Sequence, residues 1–148
     1  MTNDTFLAPF VVDWDNDGKK DLLLGTKEGG VLFFKDTGND DDPSFGNGGT
    51  GVLTALPGGY ARPLVIDWNG DRRKDLVAGD GNGEINVFLN TGSDDQPTFA
   101  TSPLTVLSLG PDRTSPFVVT DWDGGGKNDI LVGISDGRIL LYLNQGDD

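Results

Sequence analysis

The chain has 148 residues and a formal net charge of −13, with 23 glycines and neither histidine nor cysteine. Its length predicts one domain and its glycine content predicts many turns, while its charge excludes nucleic acid as a partner. The missing residue types exclude disulfides, thiolate nucleophiles, histidine-ligated zinc and a Ser-His-Asp triad. No apolar run approaches the ~18 residues of a membrane span, so membrane insertion is not expected.

The sequence repeats itself with a period of 54 residues. An Asp-Trp pair marks each repeat, at 13–14, 67–68 and 121–122. Glycine, proline and phenylalanine positions recur in the same register, which makes chance similarity an inadequate explanation. The pattern predicts one three-repeat segment over residues 1–148, with repeats at approximately 1–56, 57–110 and 111–148.

Each repeat predicts short strands, which we call A to D in chain order. Strand A is expected at 10–12, 64–66 and 117–119, strand B at 22–24, 76–78 and 130–132, strand C at 31–34, 85–88 and 139–142, and strand D at 52–56 and 106–109. Strands A to C are mostly continuous apolar runs, which need cover on both faces of their sheet. Glycines at 25, 79 and 133 and at 29, 83 and 137 are expected in hairpin turns.

Sheets stacked face to face around an axis supply that cover. The predicted fold class is therefore all-β, a β-propeller of three four-stranded blades whose third blade lacks its own last strand. Three blades leave two apolar faces open, and propellers close with about four to eight blades. A head-to-tail homodimer forming a six-bladed ring is the leading expectation, and a fragment of a longer chain is the alternative.

The segments between strands A and B are rich in acidic residues. Oxygen-bearing side chains recur at positions 1, 3, 5 and 9 of each, and the backbone carbonyl at position 7 is a further candidate ligand. The candidates are Asp13, Asp15, Asp17, Lys19 and Asp21, then Asp67, Asn69, Asp71, Arg73 and Asp75, and finally Asp121, Asp123, Lys127 and Asp129. Such a set suits Ca²⁺, which takes six to eight oxygen ligands, whereas the alternative is an ordinary solvated turn.

The three candidate sites are not expected to be equal. The first carries four aspartates, whereas the second replaces one of them by Asn69 and has Arg72 where the first has Gly18. The third has Gly125 at position 5 and loses that side-chain ligand. We therefore expect calcium affinity to fall from the first site to the third.

The acidic loop, the Leu-Leu-Gly type of strand that follows it and the repeat length resemble the FG-GAP or VCBS-type repeats. Such repeats build the propellers of integrin alpha subunits and of Psathyrella-type lectins. The resemblance covers essentially the whole chain and implies a calcium-stabilised propeller that binds sugars or proteins. It also implies an extracellular or cell-surface parent protein, although Met1–Ala8 lacks the features of a signal peptide.

The two ends of the predicted sheets differ in charge. Most acidic residues fall on the end that carries the acidic loops, and the opposite end is nearly neutral. The neutral end offers candidate ligand-binding residues, namely Tyr60, Arg62, Arg113 and Arg138. The three tryptophans are expected to pack between blades rather than to stack on sugars.

The expected function is a binding module without enzymatic activity, with carbohydrate as the favoured ligand and adhesion to protein as the second possibility. Three alternatives remain open at this point. They are a structural half-propeller, an engineered self-assembling fragment and a non-catalytic part of a larger secreted polysaccharide-degrading enzyme. The fold alone does not choose among them.

Overall fold

The computed structural model describes residues 7–46, 48–53, 55–100, 102–110 and 116–146. Eleven strands make up its regular structure: β1 (Leu7–Val12), β2 (Asp21–Thr26), β3 (Val31–Phe34), β4 (Thr50–Leu53), β5 (Arg62–Ile66), β6 (Asp75–Gly79), β7 (Glu84–Phe88), β8 (Leu104–Ser108), β9 (Phe117–Thr120), β10 (Asp129–Gly133) and β11 (Ile139–Tyr142). Within these described residues, no helix is long and apolar enough to cross a membrane.

The strands form three antiparallel sheets in chain order. Sheet 1 has the order β1-β2-β3-β4, sheet 2 the order β5-β6-β7-β8, and sheet 3 comprises β9, β10 and β11 in the part of the chain described. Within each sheet, every strand pairs with the next one in sequence, as the short connections predict. The expectation of an all-β fold with four, four and three strands is confirmed.

The fourth strands begin two residues earlier than the sequence predicts. The expected strand at 52–56 is observed as β4, which ends at Leu53, and residue 54 lies outside the described part. Leu56 leaves the sheet, donates its N–H to the carbonyl of Gly29 at 2.9 Å and is only 3% exposed. Burial of its side chain between sheets, rather than strand pairing, explains why this apolar residue lies here.

The sheets stack face to face, with sheet 2 in the middle. The pleat of β6 sends Leu76 and Ala78 into a core shared with sheet 1, and it sends Val77 into a second core shared with sheet 3. All five residues of β6 are buried, whereas exposed and half-buried residues alternate along β1. A sheet covered on both faces needs continuous apolar strands, which is the pattern seen in the sequence.

The two glycine series have different roles. Gly29 is in a hairpin turn with φ +89°, a left-handed conformation that favours glycine. The prediction that Gly25 also lies in a turn is wrong, because it is inside β2 and faces sheet 2. A Cβ on Gly25 would lie 2.0 Å from the carbonyl oxygen of Ala61. Gly79 and Gly133, the counterparts of Gly25, are also strand residues and not turn residues, at the ends of β6 and β10.

Candidate metal centre

Three acidic loops join the first two strands of each sheet at one end of the molecule. They span residues 13–21, 67–75 and 121–129, and we number their positions 1 to 9. The carboxylate at position 1 accepts the backbone N–H of position 6 in every loop: Asp13 from Gly18 at 3.0 Å, Asp67 from Arg72 at 2.8 Å and Asp121 from Gly126 at 3.0 Å. Position 1 thereby closes each loop on itself.

Positions 4 and 6 are left-handed in all three loops. The φ values are +61° at Asn16 and +86° at Gly18, +79° at Gly70 and +68° at Arg72, and +75° at Gly124 and +80° at Gly126. Glycine and asparagine tolerate this conformation, whereas a longer side chain in it costs about 1–2 kcal/mol. The shared backbone path shows that the three loops adopt one shape although their sequences differ.

The aspartate at position 9 is buried and holds three segments together. In loop 1, Asp21 accepts the backbone N–H of Trp14 at 2.9 Å and that of Asp36 at 2.8 Å. The counterparts repeat both bonds: Asp75 with Trp68 and Asn90 at 2.8 and 2.7 Å, and Asp129 with Trp122 and Asn144 at 2.8 and 2.7 Å. This predicted ligand therefore also joins the loop to the segment that follows the third strand.

The pKa of this carboxyl group shifts in opposite directions in sheets 2 and 3. Burial raises the pKa of Asp75, in the middle sheet, despite the two backbone donors. In sheet 3, the backbone N–H groups of Asn144 and Trp122 hold the pKa of Asp129 below its ordinary value. The balance between desolvation and the two backbone hydrogen bonds thus differs between Asp75 and Asp129.

Positions 1, 3 and 5 of loop 1 bring three carboxylates together. Asp13, Asp15 and Asp17 each place an oxygen within 4.8 Å of the others. One oxygen of Asp13 and one of Asp15, both named Oδ1, are buried and accept no hydrogen bond within the described part of the chain. Buried carboxylate oxygens without a donor are costly, and a divalent cation with oxygen ligands satisfies them. The loop therefore fits such an ion.

Loop 1 also has a neighbouring ammonium group. The Lys35 side chain forms an ion pair with Asp15, and its Nζ is 3.0 Å from Asp17 Oδ2. Hydrogen bonding to these two carboxylates raises the pKa of Lys35, and the Lys35 ammonium lowers the pKa of Asp17. The corresponding positions of the other repeats are leucines, Leu89 and Leu143. Only the first repeat thus has a cation at this position.

The second and third loops deviate from the first in different ways. In loop 2, the Asn69 amide donates to Asp71 Oδ2 at 3.0 Å, and the Arg73 guanidinium lies 2.5 Å from the same oxygen. In loop 3, Asp121, Asp123 and the buried Asp129 place oxygens within 4.8 Å of one another. Position 9 therefore supplies the third carboxylate that Gly125 cannot. Lys19, Arg73 and Lys127 occupy position 7, and the role of their backbone carbonyls as metal ligands stays a prediction.

The candidate ligand-binding residues lie at the opposite end. Tyr60 is left-handed at φ +50°, 39% exposed, and donates its N–H to the carbonyl of Lys27 at 2.8 Å. Arg62 begins β5 and lines a cleft of about 420 Å³ between the first strands of the three sheets, where burial lowers its pKa. Arg138 lies in the hairpin before β11 and pairs with Asp136 at 2.9 Å. Arg113 lies outside the described residues.

Sequence reasoning missed two sets of residues at the acidic end. Lys35 was detectable as the one charge at a position where the other repeats carry leucine. Position 8 holds Lys20, Lys74 and Asn128, and its second and third members donate to the preceding loop across the sheet boundary. No pattern of charge or size marks that role, since lysine and asparagine share only the ability to donate a hydrogen bond.

Comparison with known families agrees with this geometry. A family model described as an FG-GAP-like repeat matches residues 13–78 and again residues 67–132. Each match starts at position 1 of one acidic loop and ends within the second strand of the next sheet. A comparison with curated proteins gave no significant match.

Proposed function

Because the chain belongs to the FG-GAP-like repeat family, we propose that it is a calcium-stabilised β-propeller binding module. The observation that carries this proposal is the pair of buried, unpartnered oxygens on Asp13 and Asp15 in loop 1. A Ca²⁺ ion would be held by the side chains of positions 1, 3 and 5 with the carbonyl of position 7. Its charge would offset the repulsion among the carboxylates, and Asp21 would link the occupied loop to the rest of the sheet.

Calcium should stabilise the folded protein measurably. A ligand that binds only the native state adds about 2.7 kcal/mol to its stability at a hundredfold excess over Kd. We expect the melting temperature in millimolar CaCl₂ to exceed that in EDTA, and Asp17→Asn to reduce the difference. Asp41→Asn is the matched control, because it removes the same charge from an exposed site outside the acidic loops. Equal melting temperatures in CaCl₂ and EDTA would rule out structural calcium.

The ligand is proposed to be a carbohydrate, with adhesion to a protein as the second candidate and no catalytic role. Tyr60 and Arg62 support this proposal, because an exposed aromatic ring and a forked guanidinium beside a cleft suit hydroxyl-rich ligands. Repeats of this family occur in extracellular and cell-surface proteins, and we assign this chain to that setting.

A glycan array followed by affinity measurements tests this assignment. Tyr60→Ala and Arg62→Ala should each weaken binding of any sugar found by about tenfold or more, whereas Asp41→Ala, an exposed residue at the acidic end, should leave it unchanged. The reverse pattern would move the site to the acidic end. If the protein binds no sugar on the array but does bind a protein partner, adhesion would be favoured.

We also propose that two copies associate head to tail and complete a six-bladed ring. Each described chain has three stacked sheets, and both ends of the stack present apolar side chains to solvent, among them Val11 at 55% and Ile139 at 74% exposure. Two copies would cover both ends at once, which a closed cyclic arrangement requires.

A further inference from the structure

The boundary between sheets 1 and 2 carries a polar contact at the acidic end. Lys74, at position 8 of loop 2, donates from Nζ to the carbonyl oxygens of Asp13 at 2.5 Å and Trp14 at 3.1 Å. These are positions 1 and 2 of loop 1. The ammonium group thus joins one loop to the backbone of the loop before it, and its side chain is only 22% exposed.

The next boundary repeats this contact with different chemistry. Asn128, at position 8 of loop 3, donates from Nδ2 to the carbonyl oxygens of Asp67 at 2.8 Å and Trp68 at 3.0 Å. Lysine and asparagine differ in charge and length, yet both reach the same two acceptors. The contact is therefore a general feature of the packing between neighbouring sheets, and either a lysine or an asparagine at position 8 can form it.

Lys20 is the position 8 residue that has no preceding loop within its own described chain. Its Nζ lies 2.5 Å from Asp40 Oδ2, and its side chain is 63% exposed. In the second repeat, the corresponding distance from Lys74 Nζ to Asp94 Oδ2 is longer, at 3.7 Å, because Lys74 Nζ donates to the carbonyls of loop 1. Lys20 is thus poised to donate in the same way to another loop.

The matching acceptors are the carbonyls of Asp121 and Trp122 in loop 3. Trp14 is 3% exposed and lies against Phe99 of the second repeat, between β7 and β8, with ring centroids 6.2 Å apart. Trp122, by contrast, is 59% exposed. Phe45, between β3 and β4, occupies in the first repeat the position that Phe99 occupies in the second, so the first repeat carries an aromatic residue suited to cover Trp122.

The exposed apolar faces of sheets 1 and 3 match each other when their residues are aligned by the 54-residue repeat. Sheet 3 exposes Val118, Ile139 and Leu141, which correspond to the residues by which sheet 2 packs on sheet 3, namely Leu64, Ile85 and Val87. Sheet 1 exposes Val11, which corresponds to Val65, a residue by which sheet 2 packs on sheet 1. Each end thus presents one half of an interface that already forms twice within the chain.

From these contacts we infer that the exposed face of sheet 3 binds sheet 1 of a second copy, with Lys20 of the partner subunit donating to the Asp121 and Trp122 carbonyls. This inference rests on the head-to-tail assembly proposed above and specifies the contact that makes it directional. Each copy offers the Lys20 donor beside sheet 1 and the two carbonyl acceptors beside sheet 3. A closed pair of copies therefore forms the contact twice.

The solution mass and two lysine variants test the contact. Sedimentation should give twice 15.7 kDa for the unmodified chain. A hydrogen bond to a charged group contributes enough that Lys20→Ala should raise the dimer dissociation constant at least about tenfold. Lys27→Ala is the matched control, because it removes the same charge from the hairpin between β2 and β3, outside the acidic loops, and circular dichroism verifies that both variants fold.

Cysteine cross-linking then establishes the direction of association. The chain contains no cysteine, so introduced thiols react without background. A mixture of Lys20→Cys and Trp122→Cys chains treated with a short bismaleimide should yield a covalent dimer, whereas Lys20→Cys alone should not. A monomer at all concentrations would overturn both the assembly and the contact. A dimer unaffected by Lys20→Ala and without the mixed cross-link would overturn the contact alone.

Discussion

Lys35 distinguishes the first acidic loop from the other two. Its ammonium group contacts Asp15 and Asp17, the side chains that would ligate calcium at positions 3 and 5. An ammonium ion and a divalent cation compete for the same oxygens, because like charges this close repel each other. The loop with the most aspartates therefore also contains a competing cation, and we expect its calcium affinity to be lower than its number of carboxylates alone predicts.

Replacement of Lys35 by leucine, the residue of the other two repeats, should reverse this competition. We expect Lys35→Leu to increase the calcium affinity of loop 1 severalfold in an isothermal titration. In EDTA the same variant should melt at a lower temperature, because the carboxylates lose their neutralising partner. Lys27→Leu, in a hairpin at the opposite end, removes the same charge and serves as control. Equal effects of both variants would show that only net charge matters.

The roles of individual aspartates show how far sequence alone could go. The oxygen-bearing side chains at positions 1, 3, 5 and 9 correctly located the acidic loops between the first and second strands. Their spacing lies within nine consecutive residues, so it can be read directly from the sequence. It did not reveal that Asp21 accepts the N–H groups of Trp14 and Asp36. That second role depends on how a loop and a distant strand end approach each other, which no local pattern records.

At the scale of strands, apolar runs predicted the sheets well and the glycines poorly. Strands A to C were located within a few residues, since continuous apolar runs report burial on both faces. Gly25 was misplaced because turns and close sheet contacts both require a residue without a side chain. The distinction lies in its neighbour, the Ala61 carbonyl, which is distant along the chain and adjacent only after the sheets stack.

Two glycines within strands should therefore respond oppositely to the addition of one methyl group. Gly25→Ala would place Cβ 2.0 Å from the Ala61 oxygen, so the sheets must separate, and we expect a loss of about 1–3 kcal/mol in unfolding free energy. Gly51→Ala, in β4, meets nothing within 4 Å and should be neutral or stabilising by up to about 1 kcal/mol. Urea denaturation measures both, and equal losses would contradict the close packing at Gly25.

At the scale of the whole molecule, the acidic loops and the inter-sheet contacts share the same backbone. The carbonyls that accept from position 8 belong to positions 1 and 2, next to the carboxylates that would hold calcium. A bound ion would therefore order the acceptors of the contact as well as its own ligands. Each ion would also offset part of the net charge of −13, which repels a second copy.

Calcium and assembly should consequently be coupled. We expect the dimer dissociation constant to be higher in EDTA than in CaCl₂, measured by sedimentation at a temperature where circular dichroism shows folded protein in both. Reciprocity then requires calcium to bind more tightly as protein concentration rises.

High salt separates loop ordering from charge repulsion as the cause of this coupling, because it screens repulsion between chains and leaves loop ordering intact. A calcium effect that persists in high salt would assign the coupling to the acidic loops, whereas one abolished by salt would assign it to repulsion. Identical dissociation constants in EDTA and CaCl₂ would show that the loops and the interface act independently.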